Sequence, residues 1–224
     1  MKKKLLLAGI LAAAVVIIPG CSKDDTEAPV ITLLGSNPFQ LEMLDTYNDP
    51  GATADDNEDG DISSSISVND GDVENRIPGS YEVYYSVTDA AGNSADATRD
   101  VEVYASTDAL ATTYTVFDTC GSGASAVNFS YQQTVSKINS TTIGFNKFGD
   151  YSGNNAITAT LATDGSITLP LQQALDIGSA TEDHEFQGTG SVNNIKGFVI
   201  NYTDKNNSAN PVSTAACRAW FERN

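Results

Sequence analysis

Histidine is almost missing from this chain. His184 is the only one in 224 residues, and Trp220 is the only tryptophan. With no second histidine and no cysteine nearby, His184 lacks the companions that a metal centre or an activated nucleophile needs. It sits in "TEDHE" (181–185), which reads as a solvated acidic loop. Other catalytic signatures are missing too. "GSGAS" (121–125) has neither the pattern nor the strand-to-helix setting of a nucleophile elbow, and no glycine-rich phosphate loop precedes a helix. Carboxylates are plentiful, but in turn-rich segments scattered charge serves solubility more often than acid–base work. The expectation is a protein that is not an enzyme and holds no cofactor, calcium apart.

Positive charge is scarce as well. Residues 28–105 contain no lysine and two arginines against sixteen acids, a net of −14; residues 106–224 carry ten acids and six bases, a net of −4. Without residues 1–20 the chain has nine basic and 29 acidic residues, a net of −20. Such a surface repels nucleic acid and keeps a chain soluble. The shift at Ser106–Thr107 divides residues 28–105 from residues 106–224, each of ordinary size for a small β-domain.

Long hydrophobic runs are limited to one. "MKKKLLLAGILAAAVVIIPGC" has three lysines, then fourteen uncharged residues from Leu5 to Ile18, then Pro19, Gly20 and Cys21. Fourteen residues are too few to cross ~30 Å of hydrocarbon and fit the core of a signal peptide. The Cys after Ile-Pro-Gly resembles the lipobox of bacterial lipoproteins, although a proline before Gly20 departs from the usual small residue. That resemblance implies a signal peptide over residues 1–20, acylation of Cys21 and attachment to a membrane through lipid. "CSKDD" (21–25) resembles the Ser-Lys-acidic-acidic tag of surface-exposed Bacteroidota-type lipoproteins. It implies a tether over residues 21–27 and a place on the outer membrane facing outward.

What is abundant is strand pattern. In "YEVYYSVTD" (81–89), Tyr81, Val83, Tyr85 and Val87 alternate with Glu82, Ser86 and Thr88; "AAGN" (90–93) makes a turn, and "SADATRDVEVY" (94–104) returns. The antibody Cys–Trp–Cys signature is absent. The order of "APVITLLG", "YNDPGATADDNEDGDIS" and "IPGSYEVYYSVTDAAGNSADATRDVEV" resembles bacterial immunoglobulin-like domains of the pesticidal crystal protein and hyalin-repeat type. The resemblance implies a β-sandwich over 28–105 that acts as a spacer or adhesion module.

Within it, "DDNEDGD" (55–61) begins like an EF-hand loop, with Asp55, Asn57, Asp59 and then Gly60. The bidentate Glu that such a loop needs would fall at Ile66, and the flanks are strand-like, so no EF-hand exists. The stretch reads as a turn first, and second as a weak calcium site using Asp55, Asn57, Asp59 and Asp61, with Asp49 nearby.

Residues 106–224 show about eight further strands: 112–118, 127–138, 141–148, 156–163, 166–171, 186–192, 195–204 and 213–223. Tight polar turns between them predict an up-and-down meander closing into a small barrel, with a second sandwich as the alternative. The pattern resembles lipocalin-like C-terminal domains of Bacteroidota lipoproteins. With Cys21 consumed by lipid, Cys120 and Cys217 are the two thiols left in an oxidising compartment. They lie near the first and last of these strands, so a disulfide requires a closed sheet; two buried free cysteines are the alternative.

Trp220 lies in "CRAWFER" (217–223), where Cys217, Ala219 and Phe221 share one face and Arg218, Trp220 and Glu222 the other. An indole plane beside an Arg and a Glu is what a sugar platform needs; the alternative is a Trp that caps the barrel end. The function expected is a non-catalytic surface lipoprotein whose barrel binds a glycan or small ligand. A structural or adhesive module binding a surface protein is one alternative, and a lipocalin-like carrier of an apolar molecule another.

Overall fold

The computed structural model describes residues 24–151, 157–175, 183–209 and 211–224; residues 1–20 and Cys21 lie outside the described residues. The architecture is all-β. Strands β1 (Val30–Leu33), β2 (Phe39–Glu42), β3 (Ala52–Asp56), β4 (Gly60–Asp61), β5 (Ser67–Asn69), β6 (Gly79–Thr88) and β7 (Ser94–Tyr104) form two sheets, in the orders β1-β3-β4 and β2-β7-β6-β5. The long β6–β7 hairpin is the backbone of this sandwich. Val83, Tyr85 and Val87 point inward and are buried, while Glu82, Tyr84, Ser86 and Thr88 are exposed. Its turn is fixed by Asp89, whose Oδ1 accepts from the N–H groups of Gly92 (2.6 Å) and Asn93 (2.8 Å), with Gly92 at φ +98°.

Arg99 sits at the centre of the sandwich core, fully buried. Its guanidinium donates to the carbonyls of Ser36 (2.6 Å), Leu34 (2.7 Å) and Gly51 (2.9 Å), and its Nε lies 3.4 Å from Asp49 Oδ1. The Tyr85 hydroxyl donates to the same Asp49 oxygen at 2.5 Å. One arginine therefore ties the loops on both sides of β2 to β7. A buried cation is tolerated only when its donors are satisfied in this way.

After β7, Ser106 caps a single helical turn, α1 (Thr107–Leu110), its hydroxyl accepting from Ala109 N–H at 3.0 Å. Eight strands follow: β8 (Thr113–Cys120), β9 (Val127–Asn139), β10 (Thr142–Phe145), β11 (Ile157–Leu161), β12 (Ser166–Leu175), β13 (Asp183–Asn194), β14 (Gly197–Asn206) and β15 (Ser213–Arg223). Each pairs antiparallel with the next, and β15 pairs back onto β8 from Cys217 opposite Cys120 to Arg223 opposite Tyr114. The sheet is a closed barrel rather than a second sandwich.

The barrel interior is filled by aromatic rings. Tyr114, Phe145, Phe148, Phe186, Phe198 and Phe221 are all essentially inaccessible to solvent. Phe198 stacks on Phe221 with centroids 4.4 Å apart, and Phe148 meets Phe145, Phe186 and Tyr202 edge-on at 4.8–5.4 Å. The strand expected over 141–148 stops at Phe145. Phe148 instead opens a short 3-10 turn (Phe148–Asp150) and plugs the core.

Candidate functional site

The outer face of β15 presents the residues singled out from sequence. Cys217, Ala219 and Phe221 point into the barrel and are buried; Arg218 is exposed, and Trp220 and Glu222 are half-buried. Register places Trp220 between Val199 of β14 and Phe117 of β8, which makes a small apolar strip. One step along, Arg218 lies between Asn201 and Thr119, and Thr119 Oγ1 is hydrogen-bonded to Asn128 Oδ1 at 2.7 Å. Glu222 lies at the far end, 3.3 Å from Lys196 Nζ in a surface ion pair.

Arg218, but neither Trp220 nor Glu222, lines a groove of about 850 Å³ on the outside of the barrel. Its other polar walls include Thr119, Thr168, Gln187, Thr189, Asn201 and Thr203, so five strands contribute. Two glycines of β13 allow the strands beneath it to approach closely. A Cβ on Gly188 would lie 2.3 Å from the Asn201 carbonyl oxygen, and one on Gly190 would lie 2.1 Å from that of Val199. Among the described residues Arg218 has no ion-pair partner, which leaves its five donors to solvent or a ligand.

Cys120 and Cys217 are bonded at an S–S distance of 2.04 Å, joining first and last strands at the barrel seam. Beside the seam, inside the barrel, Asp118 is buried and accepts from the Tyr202 hydroxyl at 2.6 Å. Burial pushes the Asp118 carboxyl above the usual range, against the pull of the Tyr202 hydrogen bond. Burial, followed by the Asp118 charge, pushes Tyr202 up in turn.

His184 is not in a solvated loop. It lies in β13, 3% exposed, with Nδ1 2.6 Å from Asp204 Oδ1 on β14 and its ring 4.1 Å from that of Tyr151. The correction follows from alternation. His184 and Phe186 take the inward positions, while Glu185 and Gln187 flank them on the outer face. Phe186 carried that signal in the sequence, and the neighbouring acids hid it.

The acidic turn directs its side chains outward, except Asp56, which is buried. Asp55 and Asp61 are exposed cross-strand partners; Asp61 Oδ1 accepts from Ser63, Asp59 Oδ2 from Ala90 N–H (2.7 Å), and Asn57 is exposed. Asp49 is engaged by Arg99, Tyr85 and Tyr47. Its carboxyl would be raised by burial, but hydrogen bonds from Tyr85, Gly51 and Tyr47, with the Arg99 charge, hold it below the usual range.

Residues 31–103 match the family described as bacterial surface protein, Ig-like domain. No curated protein matches the chain. Among solved structures, a lipoprotein of Bacteroides thetaiotaomicron aligns over 86% of this chain and 100% of its own, at 17% identity and a TM-score of 0.32. The CBM51-2, in complex with GlcNAc, and INT domains of Clostridium perfringens ZmpB align over 78% of this chain and 29% of theirs, at 18% identity and a TM-score of 0.30. At these values neither likeness carries a function across.

Proposed function

We propose that this protein is a non-catalytic module held on the outer membrane by acylated Cys21, in which the Ig-like sandwich carries the barrel away from the lipid and the barrel binds a glycan. The groove beside Arg218 carries this reading. Its hydroxyl and amide walls match the donors and acceptors of a sugar, Arg218 supplies unpaired donors, and the Trp220–Phe117 strip adjoining it offers an apolar plane. The finer kinships, of the sandwich with hyalin-type spacers and of the barrel with lipocalin-like domains, belong to the same proposal. A carrier of an apolar molecule is the weaker reading, because aromatic side chains occupy the barrel interior.

A glycan-array screen of the chain starting at Ser22 tests the binding. A hit is expected, and Arg218→Ala and Trp220→Ala should each weaken it by about 1 kcal/mol, roughly fivefold, with the melting temperature unchanged. An array without hits, or variants that bind as the parent does, overturns the glycan reading. Anchoring is tested separately: Cys21→Ala should shift the protein out of the detergent phase.

A further inference from the structure

Of the acidic turn only the buried Asp56 joins the acids that the fold brings together; its exposed neighbours do not. Asp25, Asp56 and Asp89 each place a carboxylate oxygen within 4.8 Å of the other two, the only such trio of His, Cys, Asp or Glu side chains among the described residues. Asp56 ends β3, Asp89 opens the β6–β7 turn, and Asp25 belongs to the segment before β1. Asp56 and Asp89 are each 8% exposed, and Asp25 is half-buried. No lysine or arginine pairs with any of the three among the described residues.

A second observation points to a ligand. Asp56 Oδ1 accepts from Glu58 and Asp59 N–H at 3.0 and 2.9 Å, but Asp56 Oδ2 is sealed from solvent with no hydrogen-bond partner. Buried anionic oxygens without partners are rare, and an ion is one of the few things that account for them. Asp89 is held in place by donors: its Oδ1 accepts from Gly92 and Asn93 N–H at 2.6 and 2.8 Å, and its Oδ2 from Asn93 Nδ2 at 2.8 Å.

We propose that Asp25, Asp56 and Asp89 bind a calcium ion. Three oxygens carrying three negative charges suit a hard divalent cation. Oxygens on one calcium, each 2.3–2.6 Å from it, lie up to about 5 Å apart, so a trio held within 4.8 Å fits a single shell. The ion would fasten the segment that follows Cys21 onto two loops of the sandwich. Asn93 Nδ2 already holds that segment weakly, donating to the Asp25 carbonyl at 3.3 Å. The site stands whether or not the barrel binds a glycan.

The test is calorimetric titration of the metal-stripped chain starting at Ser22 with calcium chloride, alongside thermal melts. Calcium should bind with a Kd of about 10⁻⁴–10⁻³ M, as in other extracellular modules, and magnesium more weakly. A tenfold excess should raise the melting temperature of the sandwich by roughly 6–11 °C. Asp25→Asn should weaken binding at least tenfold without moving the melt of the stripped protein, and Asp56→Asn should abolish the calcium shift. Asp55→Asn, in the exposed turn, should bind as the parent does. If Asp56→Asn does not fold, Asp25→Asn decides alone. Absence of heat and of any shift at 10 mM calcium, unchanged binding by Asp25→Asn, or loss on Asp55→Asn overturns the proposal.

Discussion

The sandwich and the barrel organise their interiors by opposite means. The sandwich has the more acidic sequence, and its core turns on one buried cation, Arg99, which gathers three carbonyls and Asp49. The barrel encloses a buried carboxyl, Asp118, among aromatic rings and is closed by a covalent bond. A polar centre gives specificity to loops that have little apolar surface to bury. A closed sheet needs no such centre, because register and ring packing already define it.

That contrast can be broken experimentally. The largest effect should come from the seam: Cys120→Ala with Cys217→Ala should cost the barrel roughly 4–5 kcal/mol, since the bond closes a loop of nearly a hundred residues. The sandwich transition in a calorimetric scan should not move. Thiol titration of the unfolded, unreduced chain starting at Ser22 should find no reactive group.

Next, Arg99→Met keeps the volume but removes the cation beside Asp49 and a donor from each of three carbonyls, and should destabilise the sandwich by about 3 kcal/mol while sparing the barrel. Denaturant titration followed by separate probes for each part would show it. A loss shared equally by both would mean that they unfold as one unit.

Gly188→Ala comes third, at roughly 2 kcal/mol, because the added methyl meets the β14 backbone. Any ligand of the groove should be lost before the fold is.

Acid sharpens the comparison with the smallest effect. Asp49 has a folded pKa below its unfolded value of 3.8, so its stabilisation is present above pH 3.8 and is lost as pH falls below that towards the folded pKa. Asp118 has a folded pKa above 3.8, so its charge burdens the barrel at neutral pH and is relieved as pH falls through the folded pKa towards 3.8. Asp118→Asn should therefore stabilise the barrel at pH 7 and lose that advantage near pH 4. An advantage that persists at pH 4 would place the cause elsewhere.

Sequence legibility followed the same divide. The β6–β7 hairpin, the eight later strands and the inward set Cys217, Ala219 and Phe221 follow from period-two alternation, which is local. The Cys120–Cys217 pairing followed from counting, and its bond presupposed the closure that the structure shows. Arg99 could not be read, because nothing near it in sequence announces that carbonyls from Leu34, Ser36 and Gly51 will converge on it. The groove escaped for a related reason: residues of five strands line it together, and only Arg218 of the expected trio is among them. The gathering of Asp25, Asp56 and Asp89 depends on segments more than thirty residues apart, whereas the eye-catching acids of residues 55–61 mostly face water.

The seam disulfide also determines where mechanical tension runs. A pull from the N-terminal side enters the barrel at Thr113 and reaches Cys120 along β8. There it crosses the sulfur bridge to Cys217, the residue next to Arg218. Residues 121–216 lie in a covalent loop outside that route. A load borne at Arg218 is carried by β8, one disulfide and the Cys217–Arg218 step of β15, so six strands can lose their hydrogen bonds without lengthening the line.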